Sequence, residues 1–218
     1  MKTQSLYLMP GMAASPAIFE YLEFPDTIAV KWLSWIPPLT QESLSDYALR
    51  MCQRITDERP VLLGVSFGGV LVQEMAQHLD CKKVIIVSSI KSPNELALPM
   101  KLAQKTNAHK LLPTQWVKNL ETLALFVFGD RIKKRVALYQ KYLSERDPDY
   151  LNWAIDALVH WQGVTPTTEL IHIHGKQDTV FPIKNIQQPV TLTDGGHAMI
   201  INKKTWFNKQ LPELILAS

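Results

Sequence analysis

Short runs of apolar and β-branched residues alternate along this chain with longer segments whose apolar positions recur every three or four residues. Leu6–Met9, Thr27–Trp32, Val61–Val65, Val84–Ser88, Leu170–His174 and Val190–Thr193 are of the first kind. Each is bounded by Gly, Pro, Asp or Ser, and each predicts a strand. Between the second and third, SLSDYALRMCQRIT puts Leu44, Tyr47, Ala48, Met51 and Ile55 on one helical face. After Ser66, the residues Val70, Leu71, Met75 and Leu79 repeat at helical spacing. Alternating strands and helices predict a mostly parallel sheet covered on both faces.

The rhythm breaks between about Ser92 and Thr165. Only LALFVF, Leu123–Phe128, is a strand candidate there, and it reads as part of a helical insert. The clearest helix is DPDYLNWAIDALVHW. Asp147 stands as its cap and Pro148 at its first position, with Leu151, Ala154, Ile155, Leu158 and Trp161 on one face. Trp116, Trp153 and Trp161 fall in this insert and read as packing between it and the sheet. The expected organisation is a core of residues 1–91 and 166–218 with residues 92–165 as a helical lid. Such an insert lies where it can cover the carboxyl edge of the sheet, the edge at which open α/β sheets bind ligands.

At 218 residues the chain is long enough for one domain with an inserted piece, and its 46% hydrophobic and 20% charged residues are those of a globular protein. The net charge of +3 is spread over short basic runs, Lys82-Lys83, Lys133-Lys134-Arg135 and Lys203-Lys204, in mixed sequence. Runs of that kind are solvated surface and make no case for nucleic acid. Cys52 and Cys81 have neither metal-site spacing nor a disulfide framework, and Cys52 reads as core. The opening MKTQSLYLMP has too short an apolar run for a secretory signal, and no stretch approaches a membrane span. The expectation is a cytoplasmic protein acting on a small molecule, without a nucleic-acid or membrane partner. Its oligomeric state is left open.

Candidate chemistry begins at VLLGVSFGGVLVQ, where Gly64-Val65-Ser66-Phe67-Gly68 turns from a strand into a helix. A serine hydroxyl needs a base to become a nucleophile, and the base is usually a histidine oriented by a carboxylate. A glycine-flanked strand–helix turn lifts such a hydroxyl above the sheet and aims a helix N-terminus at its substrate. Alone, G-x-S-x-G is a weak signal, and its partners decide the matter. Downstream, ELIHIHGKQDTVFPI ends a strand and turns to Asp178, and VTLTDGGHAMI ends another and presents His197. Serine, aspartate and histidine follow in that order, each after a different strand.

The chain resembles a small member of the α/β-hydrolase superfamily, with GVSFG as its nucleophile elbow, HGKQD as its acid loop and GGHAM as its histidine loop. The resemblance spans nearly the whole chain. It implies Ser66 as nucleophile, His197 as general base and Asp178 as orienting acid. It also implies an oxyanion hole formed by the backbone N–H of Phe67 and of Met12, the latter in the loop MPGMAAS. Many relatives carry His-Gly where this chain has Pro10-Gly11, and many have N-terminal strands for which it has no residues. Right-handed crossovers with the first strand at a topological switch point predict a three-layer α/β/α sandwich of about six strands in the order 2-1-3-4-5-6, numbered along the chain, and the resemblance makes the insert a helical lid.

Two other aspartates compete with Asp178. Asp130 follows LALFVFG and would serve if that run were a strand, and Asp194 lies only three residues before His197. His172 and His174 alternate on one strand face but lack further metal ligands, and read as one buried histidine and one shaping the turn at Gly175. His78, His109 and His160 sit in helical, charged or loop surroundings and read as structural or exposed. The glycines form no dinucleotide fingerprint, and no cofactor or metal is expected. The resulting expectation is a serine hydrolase acting through an acyl-serine on a small to medium, largely apolar carboxylic ester or related acyl substrate. The alternatives are a hydrolase-fold lyase or C–C bond hydrolase with the same triad, or a non-catalytic small-molecule-binding protein.

Overall fold

Six segments pair side by side, every pair parallel: β1 (Gln4–Met9), β2 (Ile28–Trp32), β3 (Val61–Val65), β4 (Lys83–Val87), β5 (Glu169–Gly175) and β6 (Val190–Leu192). Their order across the sheet is β2-β1-β3-β4-β5-β6, the order expected from the sequence. Five of these strands run five to seven residues, and β6 is a three-residue edge strand. The computed structural model describes residues 3–106, 141–192 and 194–217. Leu123–Phe128, Asp130, His109 and Trp116 lie outside the described residues.

β3 and β4 are buried along their whole length, which is why they read as continuous apolar runs rather than as alternating ones. Leu8, Leu63 and Ile85 pair across β1, β3 and β4, all three fully buried. Each such side chain contributes about 1.5–3 kcal/mol by leaving water. The same register aligns Val65, Val87, Ile173 and Val190 in one row near the carboxyl edge. Loops that follow β3, β5 and β6 therefore emerge side by side.

Helices cover both faces of the sheet. α1 (Leu44–Cys52) starts at Ser43, whose side chain accepts a hydrogen bond from the Asp46 amide. α2 (Phe67–Met75) is buried throughout. Both stop before their last periodic apolar residue. Ile55 and Leu79 lie past the ends, where Arg54, Ile55, Gln77 and His78 donate to carbonyls three residues back instead of four.

Of the insert, α3 (Leu98–Thr106) and α4 (Pro148–His160) are described. Asp147 caps α4 by accepting from the Tyr150 amide, Pro148 opens the helix, and Leu151, Ala154, Leu158 and Trp161 are buried. The two tryptophans dock this helix: Trp153 Nε1 donates to the Glu42 carbonyl at 2.8 Å and Trp161 Nε1 to Glu74 Oε1 at 2.7 Å. The chain closes with α5 (Met199–Asn202) and α6 (Lys204–Leu216), whose last turn is held by the buried Lys83 donating to the Leu214 carbonyl at 2.8 Å.

The joint between β3 and α2 leaves no room for side chains. A Cβ on Gly68 would lie 2.2 Å from the Pro10 carbonyl oxygen, and one on Gly64 would lie 2.2 Å from that of Gly68. These neighbours are backbone and cannot rotate away. Gly68→Ala is expected to lower stability by at least the ~1–3 kcal/mol typical of overpacking, read from the denaturant midpoint. An unchanged midpoint would mean that β1, β3 and α2 do not approach so closely.

Candidate active site

Ser66 follows the last residue of β3 and precedes the first of α2, with φ 54° and ψ −123°. An L-residue held there stores roughly 1–3 kcal/mol of strain, and only surrounding bonds can keep it so. The Ser66 amide donates to the Val87 carbonyl at 2.9 Å. Its carbonyl accepts from the Gly69 amide at 2.9 Å and from Ser89 Oγ at 2.7 Å. With its backbone held from both sides, Ser66 points its hydroxyl away from strand and helix alike.

That hydroxyl lies 3.0 Å from Nε2 of His197, which is carried by the glycine loop after β6. On the other side of the ring, Nδ1 donates to Asp178 Oδ2 at 2.9 Å. The carboxylate can only accept, so Nδ1 holds the proton of the neutral imidazole and Nε2 is left to accept from the serine. Asp178 comes from the loop after β5 and is itself fixed, because its Oδ1 accepts from the Val180 and Phe181 amides at 2.8 and 2.9 Å. Burial raises its pKa. The charge and hydrogen bond of His197, with help from His174 and the Phe181 amide, outweigh that and keep the carboxyl below its ordinary value. Asp178 and His197 are both buried, whereas Ser66 is half-buried.

The structure thus brings Ser66, Asp178 and His197 together. Asp194 is exposed and pairs with Lys203. The expectation for the two β5 histidines needs correction: both are buried, and neither merely shapes the turn. Their strand is covered on the face they share, so they bond to each other, His172 Nε2 to His174 Nδ1 at 3.1 Å. His174 Nε2 donates to the Phe181 carbonyl at 2.8 Å and sits 3.5 Å from Asp178 Oδ2, so it braces the acid loop from below. His78 is exposed beside Ser45, and His160 lies against the Asp156 carbonyl of its own helix. No cluster of His, Cys, Asp and Glu fit for a metal occurs among the described residues. Burial pushes the Cys52 thiol up to about 12 and Cys81 to about 11, which leaves neither as a thiolate at neutral pH.

Beside Ser66 and His197 opens a small cavity of about 60 Å³, walled by Met12, Ile18, Leu143, Leu158, Val180 and Ile200 among others. Met12 and Phe67 both border it. Phe67 is the first residue of α2, where amides have no partner within the helix. None of the described hydrogen bonds uses the Met12 or the Phe67 N–H. The arrangement can therefore take a proton from Ser66 and present amide dipoles to charge developing next to it. Trp35, whose indole and ring touch this region, falls in no predicted element. Its only signal in the sequence is its place just past the carboxyl end of a strand.

No family model matches the sequence, and no curated protein aligns with it. Solved structures do share its shape. A hydrolase from Oleispira antarctica superposes with a TM-score of 0.80 at 10% identity, covering 99% of this chain and 92% of its own. An enol-lactonase from Burkholderia xenovorans gives 0.72 at 13% identity, covering 100% and 93%. An esterase from Exiguobacterium antarcticum gives 0.67 at 17% identity, covering 99% and 93%. At such identities the likeness is one of fold. No helix among the described residues is long and apolar enough to cross a membrane.

The buried histidine pair makes stability depend on pH. Burial first, then the neighbouring His174 and Lys91, push His172 down to about 3, against an ordinary 6.5. Between these values the unfolded chain binds the proton that the folded chain refuses. The His172 contribution is therefore complete above pH ~6.5 and is lost as pH falls toward ~3, at most about 1.4 kcal/mol per unit. His174 is shifted the same way, and Asp178 acts with the same sign only below its ordinary carboxylate range. The denaturant midpoint is expected to fall between pH 6.5 and 4.5, and His172→Asn to flatten that slope. An identical slope in the variant would place the acid sensitivity elsewhere.

Proposed function

We propose that this chain, an α/β-hydrolase by fold, is a serine hydrolase that cleaves a small to medium, largely apolar carboxylic ester or related acyl substrate. The observation that carries the reading is the unbroken hydrogen-bonded chain Ser66–His197–Asp178, at 3.0 and 2.9 Å, on three separate loops at one sheet edge. Binding alone needs no such alignment.

In this reading His197 Nε2 takes the Ser66 proton as Oγ attacks the acyl carbon, and Asp178 holds the ring and stabilises the imidazolium that forms. The Met12 and Phe67 amides receive the oxyanion, aided by the positive end of α2. His197 then returns the proton to the departing alcohol or thiol. Water, deprotonated by the same ring, then attacks the acyl carbon; the acyl–Oγ bond breaks, the acid departs, and the ring returns the proton to Ser66 Oγ. The apolar cavity walls favour an uncharged acyl group over a phosphorylated or strongly anionic one, and Leu143 and Leu158 of the proposed lid, residues 92–165, stand in that wall. Names borne by the solved relatives, hydrolase, esterase and enol-lactonase, are consistent with acyl chemistry.

The test combines a fluorophosphonate probe with a panel of nitrophenyl esters of increasing acyl length. Labelling should require Ser66, and Ser66→Ala should abolish turnover with the fold intact. Asp178→Asn should cost roughly 10³–10⁴ in kcat, as loss of the orienting acid does elsewhere. Each methylene that fits should raise kcat/KM about fourfold, from ~0.8 kcal/mol of transfer free energy, until the cavity is full. Labelling without turnover of any acyl substrate would point instead to lyase or C–C bond chemistry. A flat chain-length profile, or preference for an anionic ester, would overturn the assignment of the pocket.

A further inference from the structure

We propose that Trp35 is a positioning residue for the oxyanion site, holding the Met12 donor by a hydrogen bond and the Phe67 donor by a ring stack. The inference rests on the serine-hydrolase reading above and adds to it a residue that touches neither substrate nor triad.

The hydrogen bond comes first. The Trp35 side chain is nearly buried, and its Nε1 donates to the Gly11 carbonyl at 2.9 Å. The same carbonyl accepts from the Ala14 amide at 3.0 Å, closing the turn Gly11–Ala14. In a planar trans peptide the carbonyl and the following N–H point in opposite directions. Fixing the Gly11 carbonyl therefore fixes the direction of the Met12 N–H. The turn needs such a tether, because Ala13 sits within it at φ 63°, where an alanine is strained.

The stack supplies the second contact. The Trp35 ring lies on the Phe67 ring with centroids 5.3 Å apart and planes 9° from parallel. Phe67 is fully buried, so its ring has no other place to go, and its own N–H is the other donor. Behind Trp35 stand Tyr150, at 5.2 Å, and Tyr47, at 6.3 Å, which keep the indole from turning. One side chain thus ties together two donors 55 residues apart in sequence, one in the loop after β1 and one at the start of α2. An oxyanion site works only when its donors already stand about 2.7–3.1 Å from where the charge will form. A looser turn would still admit substrate and would stabilise the transition state less.

The experiment compares wild type, Trp35→Phe and Trp35→His by kcat and KM on a nitrophenyl ester and by Ki for a trifluoromethyl ketone, which forms a tetrahedral oxyanion on the serine. Tm is measured alongside. Trp35→Phe keeps a stacking ring and loses the donor. It is expected to lower kcat roughly ten- to hundredfold, short of the 10²–10³ seen when a donor is deleted outright, with KM within about twofold. The ketone Ki should rise in parallel with the loss of kcat. Trp35→His restores an N–H and should recover part of both. A folded Trp35→Phe variant with wild-type kcat and Ki overturns the proposal, as does a change in KM alone. Should Trp35→Phe fail to fold, Phe67→Leu removes the stack and leaves both amides. It should then lower kcat and weaken the ketone together, and unchanged values overturn the proposal. A wild-type protein that neither turns over esters nor binds the ketone would instead defeat the serine-hydrolase reading itself.

Discussion

The geometry at the carboxyl edge depends on one piece of backbone, the five residues that carry the chain from β3 into α2. Two glycines let β1, β3 and the first turn of α2 approach to distances that a single methyl group would prevent. Because the backbones are so close, Val87, Gly69 and Ser89 can all reach the peptide groups of Ser66 and hold it in a conformation it would not adopt alone. The hydroxyl is thus aimed by neighbouring strands rather than by its own rotamer preference. Loosening any of the three elements would release the strain and swing Oγ away from the imidazole.

The second requirement is electrostatic. A carboxylate buried as deeply as Asp178 is unfavourable unless every lone pair it presents is used. Here two amides occupy one oxygen and an imidazole the other, and His174 stands just beyond. Beneath the acid loop, His174 donates to the Phe181 carbonyl and is itself held by His172. Acid sensitivity is the expected cost of this arrangement, since buried imidazoles held neutral refuse a proton that the unfolded chain accepts.

Much of this was legible in the sequence. The strands stood out because a sheet covered on both faces demands continuous apolar runs, and the site residues stood out because a parallel sheet sends its loops to a single edge. Ser66, Asp178 and His197 each follow a strand, so the topology places them together before any distance is known. What could not be read depends on contacts between distant loops. Trp35 lies in WLSWIPP, which has no period and no motif, and its meaning comes from a carbonyl 24 residues away and from the Phe67 ring. The His172–His174 pair carried an ambiguous signal, because alternation on a strand does not say what lies on the covered face. The last turns of α1 and α2 misled in the opposite sense. Apolar spacing continued through Ile55 and Leu79, but the backbone had already tightened into turns.

The far side of the Gly11–Ala14 turn is held by the insert. Ser15 donates through its amide to the Tyr142 carbonyl, and Glu145 to that of Ala13, at 2.9 and 3.1 Å. These are main-chain bonds, indifferent to which side chains the insert carries. Its sequence can therefore drift, and with it the shape of the pocket wall, while the turn stays where it is. Its length and path near Tyr142–Glu145 have no such freedom. A chimera that replaces the segment between β4 and β5 would leave this side of the turn untethered unless the replacement brings back equivalent main-chain groups at that point. In this architecture the interchangeable and the fixed parts of that segment meet at two main-chain hydrogen bonds.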